Sequence, residues 1–183
     1  MDAIVEAALR KWPNVPHCYG WLALDARGQW FMRDERIQHA GPFPQVKGSR
    51  IDHEKLVGFI ERNYAHDDAG AWFFQNGPQR VYVELEAAPW VWRVQDQAGW
   101  PLHSHTGLAT TAGECWLDEH GRLFVATALG LGIVHTMDMG VAAAAVEAGA
   151  WQPQEIAFAA LPPRFGYVLR PVALSAPGAS GNR

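Results

Sequence analysis

The stretch that decides the fold covers residues 70–94 and reads GAWFFQNGPQRVYVELEAAPWVWRV. Residues 72–74 and 81–85 are rich in the aromatic and β-branched side chains that favour β-strands. Between them, residues 75–78 supply the Asn-Gly and Pro chemistry of a tight turn. A third extended run begins at Trp90, directly after a proline. The pattern predicts a meander of three strands at the centre of a sheet.

Shorter patterns on both sides of this stretch predict the remaining elements. Apolar residues at helical spacing predict a helix over residues 2–12, a second that begins at an N-cap Asp52 and a third that begins at Asp138. Residues 39–50, rich in Gly and Pro, are predicted to form a surface loop. Outside the central stretch, hairpins and strands are predicted over residues 21–32, 108–117, 122–127, 156–160 and 165–169.

The order of these elements predicts an α+β fold. Strands joined mostly by hairpins form an antiparallel sheet, either open or curled into a half-barrel, and two or three helices cover it. The pattern lacks the strand–helix–strand repeat and the glycine-rich turn of a Rossmann or P-loop fold. At 183 residues the chain can bury roughly 70% of its unfolded surface in one domain, which we place at residues 1–174. Residues 175–183 have no apolar pattern and are predicted to form a flexible tail.

Composition excludes several classes of protein. A net charge of −4 and a pI near 6.0 argue against binding to nucleic acid or to an anionic membrane, because no stripe of Lys and Arg is present to displace counterions. Asp2, Glu6 and Arg10 interrupt the N-terminus, which therefore does not resemble a signal peptide. We expect a soluble, cytoplasmic protein in which Cys18 and Cys115 are buried thiols.

A short motif, Leu-Asp-x-x-Gly-x-(Trp/Leu)-Phe, occurs twice, at residues 24–31 and 117–124. An Asp that starts a turn and a Gly that accepts a positive φ are typical of β-hairpins. Two interpretations remain open. The repeat is either the record of a duplicated unit or the result of hairpin chemistry alone.

The pair His103 and His105 is the first candidate for chemistry. Two histidines at i and i+2 on a strand share a face and are able to hold one divalent metal ion. His135 and Asp138, at the end of another strand, would complete the site if the fold brings the two segments together. The His-x-His pattern invites comparison with cupins, but the carboxylate and the second motif of that family are missing, so no cupin function is carried over. The alternative is that these histidines contact a ligand or only hydrogen-bond turns.

The second candidate is the polar loop between the aromatic strands. Gln75, Asn76 and Arg80 present amides and a guanidinium that suit a carboxylate or phosphate of a small ligand. The alternative is that the loop is only a turn, with Arg80 in an ion pair with Glu84 or Glu86. These two glutamates also alternate onto one strand face, although a solvated pair is more common than an acid/base pair. We name no catalytic residue.

Four strings carry a resemblance over nearly the whole chain. They are WLALD with Gly28 (from residue 21), FIERNY (59–64), WFFQNGPQRVYV (72–83) and RFGYV (164–168). The sequence resembles a small uncharacterised family of proteobacterial proteins, a domain of unknown function. This resemblance implies no activity. The order of hairpin, helix and aromatic strand near the N-terminus is also similar, at the level of the fold, to another family of unknown function.

The nine tryptophans suggest a use for the surface. A buried indole needs a partner for its N–H group or a place at the edge of the core, so we expect some of these rings, among them Trp100, to line a groove. The sequence thus predicts a cytoplasmic accessory protein that binds a small molecule or a protein partner near Arg80 and residues 103–106, with Thr106 among the contacts. The alternatives are a metal-dependent enzyme with the His-x-His site and a subunit of a homo-oligomer or larger assembly.

Overall fold

The computed structural model describes residues 1–173 and confirms the α+β class, with its strands in two sheets. Sheet 1 contains β1 (Cys18–Leu24), β2 (Trp30–Met32), β3 (Ser49–Arg50), β4 (Tyr64–His66), β5 (Trp72–Asn76) and β6 (Gln79–Leu85). Sheet 2 contains β7 (Trp90–Val94), β8 (Leu102–Ser104), β9 (Ala109–Thr110), β10 (Cys115–Leu117), β11 (Leu123–Thr127), β12 (Gly130–Val134) and β13 (Gln154–Glu155). The α-helices are α1 (Ala3–Lys11), α2 (Glu35–Ala40), α3 (Glu54–Arg62), α4 (Met139–Glu147) and α5 (Leu161–Phe165). The tail predicted at residues 175–183 lies outside the described residues.

Each sheet is mostly antiparallel but contains a parallel pair of strands near its centre. Sheet 1 has the order β3-β2-β1-β6-β5-β4, in which β1 runs parallel to β6. Sheet 2 has the order β13-β10-β11-β12-β7-β8-β9, in which β12 runs parallel to β7 and β10 to β13. No closed barrel forms within residues 1–173.

The predicted three-strand meander is divided between the sheets, which corrects the sequence interpretation. β5 and β6 form the expected hairpin around Gly77, but β7 crosses into sheet 2 and pairs with β8 and β12. The crossing segment contains Pro89, whose missing N–H cannot join a ladder. Two tyrosines hold its carbonyl groups, because the hydroxyl of Tyr167 donates to Ala87 O and that of Tyr64 to Pro89 O. The segment is therefore a fixed link between the sheets.

The helices also differ from the prediction in number and place. α1, α3 and α4 lie where helices were expected, but α3 is capped by His53, whose Nδ1 accepts from Leu56 N–H, and not by Asp52. The two late strands are wrong, since a 3-10 helix at Phe158–Ala160 leads into α5. Two prolines in the first turn of α5 explain this, because their missing N–H groups and fixed φ suit the start of a helix.

One hydrophobic core joins the two sheets. It contains Leu24 and Trp30 of sheet 1 together with Trp90, Trp92 and Leu102 of sheet 2. Six of the nine tryptophans are buried, namely Trp30, Trp72, Trp90, Trp92, Trp116 and Trp151. Most of the tryptophans are therefore core side chains, whereas Trp12 and Trp21 are exposed and Trp100 is half-buried.

The repeated motif is a turn that the chain uses three times. Asp25, Asp67 and Asp118 each start a hairpin, and each Oδ1 accepts the backbone N–H groups two and four positions later at 2.8 to 3.0 Å. The glycine at the fourth position has a φ of 76°, 78° and 72° in the three turns. The third copy, at residues 66–73, has His in place of the leading Leu. Because the same hydrogen bonds recur in three separate hairpins, turn chemistry accounts for the repeat.

Candidate functional site

A cavity of about 590 Å³ lies between the β1–β2 turn of sheet 1 and the β10–β11 turn of sheet 2. We call it the inter-sheet cleft. It exceeds in volume the cavities of about 520 and 440 Å³ found elsewhere on sheet 2. Its lining consists of Ala26, Arg27, Lys47, Glu86, His120, Gly121, Arg122, Ile133, Val134, Thr136 and Met139. Two copies of the Asp-x-x-Gly turn thus face each other across this space.

The sheet 1 wall of the cleft is organised around Lys47. Its Nζ atom lies 2.9 Å from Asp25 Oδ2 and 3.2 Å from Glu86 Oε2. Burial acts to lower the pKa of Lys47, but the two carboxylates outweigh it and raise that pKa. Glu86 Oε2 also accepts the N–H of Ala26 at 3.1 Å. Lys47 is therefore a charged group that two carboxylates share.

The loop that carries Lys47 is held by a buried arginine. Arg33 is 2% exposed and forms an ion pair with Glu84. It also donates to Gly41 O at 2.6 Å and to Val46 O at 3.3 Å, so it ties both ends of the loop to sheet 1. Because a guanidinium presents its donors in a rigid fork, these contacts fix the loop beside the cleft.

The sheet 2 wall presents a second paired cation above an apolar floor. Arg122 Nε lies 2.7 Å from Asp118 Oδ2, and its guanidinium lies 4.2 Å from the centre of the Phe158 ring. Stacking on an aromatic face holds a guanidinium while leaving its outer edge open. The floor is formed by the side chains of Ile133 and Met139.

Arg27 differs from the other cations of the cleft. Its side chain is exposed, and the ion pairs formed within residues 1–173 do not include it. Burial is the main cause that lowers the pKa of His135, and the charge of Arg93 is the next. The positive charge of Arg27 lowers this pKa further. Arg27 is thus the uncompensated positive charge on the rim.

The fold does bring residues 103–105 and 135–138 together, on either side of β7. His103 pairs across the ladder with Arg93, and His135 N–H donates to Trp92 O, which places His135 opposite Arg93 on its other side. Asp138 accepts from Arg93 Nε at 2.6 Å, from Arg93 Nη2 at 3.0 Å and from Val94 N–H at 3.0 Å. The hydrogen bonds from Arg93, despite burial, lower the pKa of Asp138.

Arg93 therefore lies between three of the predicted metal ligands, namely His103, His135 and Asp138. His135 Nδ1 accepts the N–H of Met137 at 3.1 Å, and His103 Nδ1 is buried without a partner among the described residues. Within residues 1–173 no three His, Cys, Asp or Glu side chains are grouped as metal ligands would be. The four predicted ligands are not assembled around a common point, because both oxygens of Asp138 are used by Arg93.

His105 lies just beyond the end of β8, in the aromatic part of the core. Its Nδ1 accepts from Val91 N–H at 3.3 Å, and its ring centre lies 5.8 Å from those of Trp30, Tyr64 and Trp90. Burial lowers the pKa of His105 to about 3. The ring is therefore neutral at physiological pH and packs as an aromatic core residue.

The turn that follows His105 is held by its own side chains. Ser104 Oγ lies 2.8 Å from Thr106 Oγ1 and accepts the N–H of Leu108 at 3.0 Å. Trp100, in the preceding turn, has a φ of 45° and donates its backbone N–H to Gln97 O. These contacts explain the conformation of both turns without a ligand.

The polar loop at residues 75–80 belongs to sheet 1, whereas the His103–Thr106 segment begins on β8 of sheet 2. Gln75 is 1% exposed and donates through Nε2 to Gly77 O, and Asn76 pairs with Gln79. The guanidinium of Arg80 lies 4.4 Å from the centre of the Phe73 ring. The predicted ion pair of Arg80 with a glutamate is wrong, since Glu84 pairs with Arg33 and Glu86 with Lys47.

The residues that sequence reasoning missed are Arg27, Lys47 and Arg122. Two of them lie in the repeated Asp-x-x-Gly turns, so the repeat was the available signal. Lys47 lies in a loop whose Gly and Pro content gave no indication that it would contact a carboxylate 22 positions away.

None of the helices in residues 1–173 has the length and apolar character needed to cross a membrane. A solved structure described as a DUF1285 family protein from Silicibacter pomeroyi DSS-3 is similar to this chain, with a TM-score of 0.49 and 14% identity over 78% of this chain and 83% of that one. No curated protein matches the sequence. The model of family DUF2944, described as "Protein of unknown function (DUF2946)", matches residues 1–172. The chain therefore belongs to family DUF2944, which confirms the resemblance to a family of unknown function.

Proposed function

We propose that the protein is a cytoplasmic accessory protein that binds a small molecule in the inter-sheet cleft. The observation that carries the proposal is the meeting of three cations, Arg27, Lys47 and Arg122, around an apolar floor in a cavity of about 590 Å³. Ligand sites are typically cavities of about 300–1,000 Å³ with mostly apolar walls and a few polar groups. The cleft has this size and this lining.

The lining indicates the kind of molecule that fits. Ile133 and Met139 favour an apolar body, and the guanidinium of Arg27 favours a carboxylate or another oxyanion at one end. We propose this cleft as the binding site in place of the groove near Arg80, because Arg80 stacks on Phe73 and does not line the cleft. No contact among the described residues specifically favours the metal-dependent enzyme, so binding is the single function proposed.

A substitution that fills the cleft tests the proposal. Thr136 is exposed and lines the cleft, so Thr136→Trp places an indole there without disturbing the core. Met137 is 74% exposed and is not part of the lining, so Met137→Trp is the matched control one residue along. We expect small carboxylic acids and amino acids that raise the melting temperature of the wild-type protein to raise that of Met137→Trp equally and that of Thr136→Trp by less than half as much.

The readout is a thermal-shift screen in which the melting temperature of each free variant is measured first. Compounds that stabilise all three proteins to the same extent bind outside the cleft, and this result would contradict the proposal. A screen of several hundred such compounds without one that stabilises the wild-type protein would contradict it as well.

A further inference from the structure

The charges of the cleft are unevenly paired, and this imbalance limits what the ligand can be. On the sheet 1 wall, the carboxylates of Asp25 and Glu86 share the single ammonium group of Lys47. This group of three side chains therefore carries one negative charge more than positive charge. On the sheet 2 wall, Asp118 and Arg122 balance each other.

The surplus negative charge has a defined location. Asp25 uses both oxygens, since Oδ1 accepts two backbone N–H groups and Oδ2 binds Lys47. Glu86 uses only Oε2, which accepts from Ala26 N–H and from Lys47. Among the described residues nothing donates to Glu86 Oε1, and the side chain of Glu86 is 23% exposed. Glu86 Oε1 is thus an open acceptor in the lining of the cleft.

The surplus positive charge lies on the same wall. Arg27 follows directly after Ala26, the residue whose backbone N–H is bound by Glu86. The Arg27 backbone N–H is fixed by Asp25 Oδ1 at 2.9 Å, while its guanidinium has no carboxylate partner within residues 1–173. An open acceptor and an open cation therefore flank one turn.

Two open groups of opposite charge beside an apolar floor suit a zwitterion. A simple carboxylic acid would satisfy Arg27 but place a second negative charge beside Glu86, and like charges repel. Resting on the function proposed above, we propose that the ligand is an amino acid with an apolar side chain. Its carboxylate pairs with Arg27, its ammonium group with Glu86 Oε1, and its side chain packs on the floor formed by Ile133 and Met139.

Three matched probes test the inference by isothermal titration calorimetry on the full-length protein. L-Leucine carries both charges, 4-methylpentanoate lacks the ammonium group, and 3-methylbutylamine lacks the carboxylate. Because each charged contact contributes to affinity and each missing one leaves a charge unpaired, we expect L-leucine to bind at least about tenfold more tightly than either analogue.

A specificity change separates a contact with the ligand from a structural role. Glu86→Gln removes the charge that attracts the ammonium group, so we expect the preference for L-leucine over 4-methylpentanoate to fall to within about threefold. Glu35→Gln, at an exposed glutamate on α2, is the matched control and should keep the wild-type preference. Circular dichroism and melting temperature verify that both variants are folded.

The outcomes distinguish this inference from the proposed function. If 4-methylpentanoate binds as tightly as L-leucine, the zwitterion is excluded but a binding cleft for acids remains. If none of the three probes binds, the amino-acid inference is overturned, and the Thr136→Trp screen decides the function separately.

Discussion

At the scale of single residues, His105 shows how the aromatic core determines a charge state. Its ring lies among Trp30, Tyr64 and Trp90, and its Nδ1 accepts from Val91 N–H. An imidazolium in this place would lose its solvation and gain no carboxylate, which is why burial lowers the pKa from 6.5 to about 3. A histidine that looks like a metal ligand in the sequence is a neutral member of the core.

This state predicts a dependence of stability on pH. Between pH 6.5 and 3 the unfolded chain binds the His105 proton and the folded chain does not, so the contribution is complete above pH 6.5 and is lost as pH falls. We expect the free energy of unfolding to decrease by up to about 1.4 kcal/mol per pH unit over this window. Urea unfolding followed by tryptophan fluorescence at several pH values measures the slope.

Two variants assign the slope to one ring. His105→Phe keeps an aromatic side chain that does not titrate, so its stability should fall less steeply with acid than that of the wild-type protein. His17→Phe changes an exposed ring and should keep the wild-type slope. His135, whose pKa is also lowered, and Glu61, whose pKa burial raises, are present in every variant and cancel in the comparison. Equal slopes in all three proteins would show that His105 is solvated.

At the scale of elements, the β1–β2 turn joins the two sheets because Gly28 has no side chain. A Cβ atom at Gly28 would lie 2.9 Å from His105 Cβ, closer than such atoms approach, and 3.7 Å from Val91 Cβ. Gly121 occupies the same position in the β10–β11 turn with a similar φ, but a Cβ atom there meets nothing within 4 Å. The same turn is thus packed against a neighbour in one place and open in the other.

The pair of glycines separates backbone strain from packing. Gly121→Ala introduces only the backbone strain of a non-glycine residue at positive φ, and we expect it to lower the free energy of unfolding by about 1–2 kcal/mol. Gly28→Ala introduces the same strain and must also displace His105, so we expect its decrease in the free energy of unfolding to be roughly 1–3 kcal/mol larger. Chemical denaturation of both variants provides the comparison. Equal losses would mean that the turn of sheet 1 does not press on sheet 2.

Local patterns in the sequence predicted local structure well. The Asp-x-x-Gly turns, the Asn-Gly hairpin and three helices follow from residues that are close neighbours in the chain. The parallel pairs did not follow, because the register of Leu22 with Val83 depends on packing between distant segments. The cleft could not be predicted for the same reason, since Lys47 contacts Asp25 and Glu86 only after its loop has folded onto sheet 1. The sequence left open whether residues 103 and 135–138 come together, and it gave no indication of Arg93 between them.

At the scale of the whole molecule, the shared core couples sheets that the strand pairing leaves separate. Trp72 of sheet 1 packs edge-on against Trp90 of sheet 2 with ring centres 5.1 Å apart, and both belong to the cluster that contains Leu102. One domain over residues 1–174 stays a prediction, which unfolding experiments test.

We expect the two sheets to unfold together. Leu102 is fully buried in sheet 2, so Leu102→Ala should lower the free energy of unfolding by about 2–5 kcal/mol. If the core is shared, hydrogen exchange of the most protected amides in both sheets accelerates by a similar factor. Acceleration confined to sheet 2, with sheet 1 unchanged, would show two independent folding units.

The parallel pair at the centre of each sheet delays strand pairing during synthesis of the chain. A hairpin closes as soon as its two strands have been synthesised, but β1 meets β6 only after β2, the loop, α3, β4 and β5 have left the ribosome. Pairing of distant segments requires the closure of a long loop and is slow compared with hairpin formation. During translation the growing chain therefore exposes one edge of β1 for most of the synthesis of sheet 1. Until β6 arrives, that edge is open to pairing with neighbouring chains.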